Sequence, residues 1–433
     1  MSMVDLIRKL SPYRSGVVCD GLDKVTELLC QELPFQVHEF ESGSEVNGWV
    51  LPQKWECQKA TIHDNAGNLI YDGNAHPLGV CAYSEPFVAG IGGEELKKHL
   101  YYSAEYDDAL IYHCDWLYKN WVKDWGFSVT KRFYDSIKDR EAYHIELRTT
   151  KTPGTMKVLE FHKPGKQDID ILINAHNCHP GCANDDLSGV AIGIEVMRQL
   201  MTQEAELGYR LIIGPEHYHS IFYLDRFQDT KLHSGVFLES LGTQGPLALQ
   251  HSFTGDAPID QYYVRALKDS GFPWREAPFR SVVGNDETCW DSAGYEIATV
   301  SLSRVPFSEY HTSHDTADLM DEQRLREAVS VTVEALSNMD KDKRHQRKFR
   351  GLVCLSRPGI DLYKPMLDPS MPDRRTISDE ARRWNNLMDC LPLYFGHRDE
   401  LGLSVLEIAN RHDLPFQQVW RYVKAWEEKG LVG

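Results

Sequence analysis

The hydrophobic positions change period along this chain, and the changes divide it. Leu6 and Leu10, then Leu22, Val25, Leu28 and Leu29, recur at helical spacing, which predicts helix over residues 1–30 broken by a turn at Ser11–Gly16. From Val46 to Phe127 the texture becomes short alternating runs such as Ala60–His63 and Leu69–Tyr71, with turn residues at Asp64-Asn65, Gly67-Asn68 and Asp72-Gly73-Asn74. Alternation punctuated by turns reads as a small β-rich domain. Four apolar runs follow, Ile169–Ala175, Tyr209–Gly214, Gly235–Leu238 and Ala298–Leu302, with helical stretches at Leu187–Met201 and Ile259–Lys268 among them. Strands alternating with helices imply an α/β layer on a mostly parallel sheet flanked by helices. The apolar stripe Leu187, Val190, Ala191, Ile194, Met197 and Leu200 should pack one helix on that sheet.

Pro358, Pro365, Pro369 and Pro372 lie in a polar stretch that reads as a linker over 356–375. Beyond it, residues 403–432 pattern as two amphipathic helices around a short turn, as in a winged helix-turn-helix. The expected organisation is therefore an α/β domain over 1–45 and 128–355, an inserted β-rich domain over 46–127, the linker, and a winged-helix domain over 376–433.

Composition narrows the functional classes. At 433 residues, 42% hydrophobic and 26% charged, the chain is an ordinary globular protein with room for several domains. Its 64 acidic against 47 basic residues give a net charge of −17, which disfavours nucleic acid and acidic membranes as partners. The stretch 376–433 carries seven Lys and Arg against nine Asp and Glu, so it lacks the cationic footprint of a DNA-binding domain. Intramolecular packing or homo-oligomer formation is the expected role of that stretch. No run of ~18 apolar residues occurs, and ten cysteines are scattered without a CxxC pair, which suits a cytoplasmic protein in a reducing compartment.

In an open parallel sheet, ligands gather at the carboxyl ends of the strands. Here those ends deliver His176 and, shortly after, His179, Asp185 and Asp186; then Glu216 and His217; then Glu239; and, through a loop, His311. Singly, each reads as a loop or capping residue. Four adjacent strand ends all presenting imidazole or carboxylate would be costly to assemble without a cation among them. Imidazole with carboxylate is the ligand set of zinc in hydrolases, where the metal polarises a carbonyl and lowers the pKa of water towards ~7. Cys178 and Cys182 are expected to be packing residues; a cysteine hydrolase using Cys178 beside His179 is the competing class.

The run Ala175-His176, Ala183–Gly189, Pro215-Glu216, Glu239, Asp286-Glu287 and Tyr310–Ser313 resembles the zinc aminopeptidase superfamily of glutamate carboxypeptidase and secreted bacterial aminopeptidases. The blocks Tyr13–Ser15, Trp49–Trp55, Glu94–Leu100, Trp125–Phe127 and Cys178–Pro180, with the C-terminal helices, are similar to bacterial aminopeptidase-like proteins found among polysaccharide and natural-product biosynthesis genes. The resemblance implies a zinc-exopeptidase-like α/β domain with a β-rich insertion and a winged-helix tail, binding one or two zinc ions.

Carried over residue by residue, it implies Glu216 as general base and Asp185 as a metal-bridging ligand, with His176, His179, Glu239 and His311 as further ligands. Either His176 or His179 is the first ligand. The superfamily's catalytic aspartate two residues after the first His is here Cys178, and the second member of its Glu-Glu pair is His217. His217 and Asp186 are candidates for a second metal. Asp286 and Glu287 resemble a substrate-pocket block and are expected either to hold a substrate ammonium or to cap the following helix. The leading functional expectation is a zinc-dependent hydrolase of an amide next to a free amine, on a peptide or small-molecule substrate. A biosynthetic deacylase or non-peptide amidohydrolase, and a regulatory protein with a winged-helix tail, are the alternatives.

Overall fold

The computed structural model describes residues 1–364, 378–398 and 400–433. It forms two compact units: Met1–Ala257 with Pro273–Ser330, and Pro258–Phe272 with Val331–Gly433.

The first unit is built on an eight-stranded mixed sheet. Its central four strands, in spatial order Gly208–Gly214, Asp170–His176, Leu232–Glu239 and Ala298–Ser303, are mutually parallel. These are the four apolar runs of the sequence; Ile171, Leu172, Ile173, Leu211, Ile213, Val236, Phe237, Val300 and Leu302 are all fully buried. Antiparallel strands extend the sheet, Thr155–Lys163 and Gln36–Glu41 on one side and Leu247–Gln250 on the other, where Trp274–Ala277 then pairs in parallel at the edge. The register sets His176 level with Gly214 and Glu239 level with Ser303, so the strands release their chemistry at one edge.

Helix Leu187–Leu200 packs on the sheet by its predicted stripe. Gly189 makes the approach possible: a Cβ there would lie 2.2 Å from the Leu238 carbonyl oxygen. The N-terminal pattern resolves into helices Met3–Leu10 and Asp20–Leu29, the first opened by a reciprocal Ser2/Asp5 capping box.

The β-rich segment forms a four-stranded antiparallel sheet in the order Leu69–Asp72, Lys54–His63, Ala142–Thr152 and Phe87–Gly92. It recruits Ala142–Thr152 from beyond residue 127. Trp55, Ala60, Ile62, Ile145 and Leu147 belong to the same buried cluster as Val158, Leu172, Ile212 and Phe222. The insertion therefore shares its core with the α/β layer.

In the second unit, helices Asp379–Tyr394, Val405–His412 and Phe416–Glu428 surround Leu387, Leu391, Ile408, Phe416, Val419 and Trp426. A Ser404/Glu407 capping box opens the middle helix. Within the unit, Arg344, Gln346 and Arg347 form isolated bridges to Ser404, Gly396 and Val432. Of the expected linker over 356–375, residues 365–375 lie outside the described residues. Among the described residues, no helix is long and apolar enough to cross a membrane.

Candidate metal centre

The strand ends need a scaffold to aim their side chains, and Asp186 is central to it. Its carboxylate accepts from the backbone N–H of Gly189 and Ser240 at 3.0 Å each and from that of His176 at 3.4 Å. One side chain thus caps helix Leu187–Leu200 and ties two strand ends to it. These three bonds occupy both of its oxygens, and Asp186 belongs to neither of the donor groups that meet at Asp185. Asp315 plays a parallel part, accepting from Asn184 N–H at 2.7 Å and Asp185 N–H at 3.1 Å. His217, Ser240 and His311 stand at φ of 58°, 53° and 56°, a left-handed conformation that non-glycine residues adopt only where surrounding contacts impose it.

Two groups of donors meet at Asp185. His176, Asp185 and Glu239 form one set and His179, Asp185 and His311 another, the ligand atoms of each set lying within 4.8 Å of one another. Asp185 Oδ1 is 3.4 Å from His176 Nε2; Asp185 Oδ2 is 3.1 Å from His311 Nε2 and 3.8 Å from His179 Nε2. The sequence leaves His176 and His179 as alternatives for one position, whereas the structure brings both to the same aspartate.

Burial defines the electrostatics. His176, Asp185 and Glu239 are 0%, 1% and 2% exposed, so almost no water screens them. Burial, joined by the neighbouring Asp185 charge, drives the Glu239 carboxyl well above its ordinary range. Burial also lowers His179 to about 4, leaving a neutral imidazole with a free lone pair. His176 Nδ1 and Nε2, both oxygens of Asp185, Glu239 Oε2 and His311 Nε2 have no hydrogen-bond partner. Buried donors and acceptors are normally satisfied, and a cation among these atoms would satisfy them. The imidazole and carboxylate set fits zinc, in one or two positions sharing Asp185.

Glu216 stands beside this set, with Oε2 3.6 Å from His179 Nε2. The Tyr118 hydroxyl donates to the same oxygen at 2.6 Å. Burial alone would raise the Glu216 carboxyl, but the imidazoles of His179, His176 and His217 and the Tyr118 hydroxyl together bring it below the usual range. Cys178 is fully buried, its sulfur accepting from the Glu216 N–H at 3.3 Å. Burial raises its thiol, the opposite of an activated nucleophile, so the cysteine-hydrolase reading finds no support.

Several aromatic neighbours escape sequence reasoning. Tyr112 meets the rings of His179 and His311 edge-on at 4.9 and 5.3 Å, and Tyr310 stacks on His311 at 3.8 Å. Tyr112 is carried in by a backbone clasp in which Tyr112 N–H donates to the His311 carbonyl at 2.8 Å and Ser313 N–H to that of Leu110 at 2.9 Å. Tyr112 and Tyr118 come from the inserted segment, where only their aromatic character could have flagged them.

Three further candidates stand apart from the groups at Asp185. His217 joins neither set at Asp185; it faces Cys289 and Asp286 and packs against Trp49. Asp286 is fully buried and accepts from His217 N–H at 2.9 Å and Ser220 Oγ at 2.7 Å, without capping the helix Glu287–Trp290. Glu287, also fully buried, accepts from Asn285 N–H and Gln250 Nε2 at 2.9 and 3.2 Å. Neither carboxylate is among the residues lining the neighbouring cavity. A cavity of about 520 Å³ instead opens beside Glu239 and Tyr310, lined by Val282, Val283, Pro306, Phe307 and Arg280.

This sheet, with its chemistry at the carboxyl ends and an antiparallel insertion, has the zinc aminopeptidase fold, and the protein is aminopeptidase-like. The zinc aminopeptidase BSAP of Bacillus subtilis superposes with a TM-score of 0.58 at 16% identity, over 78% of this chain and 94% of that one. The chain belongs to the family described as a domain of unknown function, DUF4910, whose model matches residues 4–342. A Clostridium acetobutylicum crystal structure, provisionally named a peptidase, gives a TM-score of 0.83 at 24% identity over 100% of this chain and 95% of that one. A protein of the same organism, provisionally named for polysaccharide biosynthesis with an aminopeptidase-like domain, is 27% identical over 343 residues, 78% of each chain.

Proposed function

We propose that the protein is a zinc-dependent hydrolase of amide bonds, acting in the manner of an aminopeptidase. The observation that carries this reading is the convergence of unpartnered, buried His176, Asp185, Glu239 and His311 atoms beside the carboxylate of Glu216. His176, Asp185 and Glu239 would hold one ion, and His179, Asp185 and His311 a second. When bound, such a metal polarises the scissile carbonyl and makes water a better nucleophile near neutral pH. Glu216 accepts the proton from the attacking water at a carboxylate oxygen and delivers it to the leaving nitrogen. Tyr118 fixes that carboxylate, and the rings of Tyr112 and Tyr310 hold the imidazoles in place. The cavity beside Glu239 would receive the substrate.

Within this reading, the cavity lining favours a second substrate class. With Asp286 and Glu287 withdrawn, Arg280 is the basic group in the cavity, which suits an acylated, anionic small molecule of the kind a polysaccharide pathway handles. We further propose that residues 376–433 are a winged-helix domain serving packing or self-association in a cytoplasmic protein. The deciding experiment measures bound metal and the release of amine from aminoacyl amides and their N-acetylated counterparts, in wild type and Glu216→Gln. Stoichiometric zinc, inactivation by chelators and a loss of about 10²–10⁴-fold in Glu216→Gln with metal retained are expected. Metal-free protein with chelator-insensitive turnover would overturn the proposal.

A further inference from the structure

A third set of donors converges nearby, and the proposed hydrolysis does not use it. We propose that His217, Asp286 and Cys289 form a separate site for a soft divalent cation such as zinc. Their ligand atoms lie within 4.8 Å of one another, and the set shares no member with the two groups at Asp185. His217 Nδ1 is 3.8 Å from Cys289 Sγ. Ligands held about 2.0–2.3 Å from one tetrahedral zinc stand roughly 3.5 Å apart, so the His217–Cys289 pair needs a shift of only a few tenths of an ångström and no pair of the set more than roughly 1.3 Å.

A second observation points to the cation itself. Asp286 is fully buried, and while Oδ1 accepts from His217 N–H and Ser220 Oγ, its Oδ2 has no partner. An unpaired carboxylate oxygen away from water is costly, and a bound cation removes the cost. The supports of a metal ligand are already built, since the bonds to Oδ1 fix the carboxylate while its free oxygen remains available.

The thiolate decides the chemical class. Sulfur with imidazole and carboxylate selects zinc, cobalt(II) or cadmium over magnesium or calcium. On binding, the Cys289 S–H bond breaks, its proton leaves to solvent and a sulfur–metal bond forms. One thiolate and one carboxylate then balance the dication. Three protein ligands leave a fourth position for water, and the His217 side chain, 22% exposed, gives the ion a way in.

The test is titration of metal-stripped, full-length protein with cobalt(II), following the thiolate-to-cobalt charge-transfer absorption in the near ultraviolet, together with zinc content by elemental analysis. Wild type should develop the band. Cys289→Ser should lose the band and bind one equivalent of zinc fewer, and His217→Asn should likewise bind one fewer. Cys178→Ser, which removes the thiol grouped with His176 and His179, should keep the band. Asp185→Asn should also keep it while losing metal from the neighbouring centre, which separates failure of this proposal from failure of the hydrolase reading. Absence of the band in wild type, its survival in Cys289→Ser, or an unchanged zinc count in both Cys289→Ser and His217→Asn would overturn the assignment.

Discussion

Replacing Tyr118 by Phe would remove one hydroxyl and keep the ring that packs beside His217 and Tyr218. That hydroxyl donates to Glu216 Oε2 at 2.6 Å, the length of a bond to an ionised acceptor. Hydrogen bonds to charged groups contribute about 1.5–3 kcal/mol. The bond favours the carboxylate over the protonated acid, so its loss raises the proton affinity of Glu216. At about 1.4 kcal/mol per pH unit, the acid limb of kcat/KM should move up by roughly 1–2 units. The plateau above it should change much less, because Glu216 is ionised there in either protein. Profiles of kcat/KM between pH 4 and 9 on a single aminoacyl amide, with zinc content measured in parallel, would read the shift. Superimposable acid limbs at equal metal content would refute Glu216 as the proton acceptor whose titration Tyr118 controls.

Other consequences follow from the same geometry. Burial holds His179 at about 4, below the 6.5 of an exposed imidazole, so in the metal-free protein the unfolded chain takes up a proton there that the folded one does not. Stability of the chelated protein should therefore fall as pH drops from about 6.5 towards 4, by up to about 3 kcal/mol, and His179→Gln should flatten that slope in denaturant unfolding. Arg280→Ala should raise KM about tenfold for substrates carrying a carboxylate and leave neutral ones unchanged, measured by competition between acidic and neutral aminoacyl amides. With seven basic against nine acidic residues over 376–433, the full-length protein should give no salt-dependent anisotropy change with duplex DNA.

Much of the α/β layer was legible because its central strands are buried on both faces. Continuous runs such as Ile171–Ile173 and Ile212–Ile213 stand out in sequence, as does the stripe of Leu187–Leu200. Topology then brought His176, Asp185, Glu239 and His311 together as strand ends should. The flanking strand Gln36–Glu41 was less visible, since its exposed edge leaves only His38 and Phe40 buried.

Side-chain direction was the harder matter. Nothing in a Glu216-His217 pair says that the backbone turns to φ 58° between strand and helix and sends the imidazole towards Cys289. His179 reaches Asp185 from three residues beyond the strand, a position sequence could nominate without deciding. Asp286 and Glu287 looked like pocket residues by resemblance and by charge, but both are buried, bond to Ser220 and Asn285, and do not line the cavity. Tyr112 depends on a loop closing against residues about 200 positions away, as in the bridge of Ile111 with Thr312, and Tyr118 on a contact with Glu216 98 positions away, neither of which a local pattern encodes.

The most direct measurement is diffraction at the zinc absorption edge from crystals of full-length protein supplied with zinc. Anomalous density should lie against Asp185, bounded by His176 and Glu239, by His179 and His311, or by both pairs. Density only elsewhere, with the donors around Asp185 closed on one another in direct hydrogen bonds, would contradict the metal centre on which the proposed hydrolysis depends.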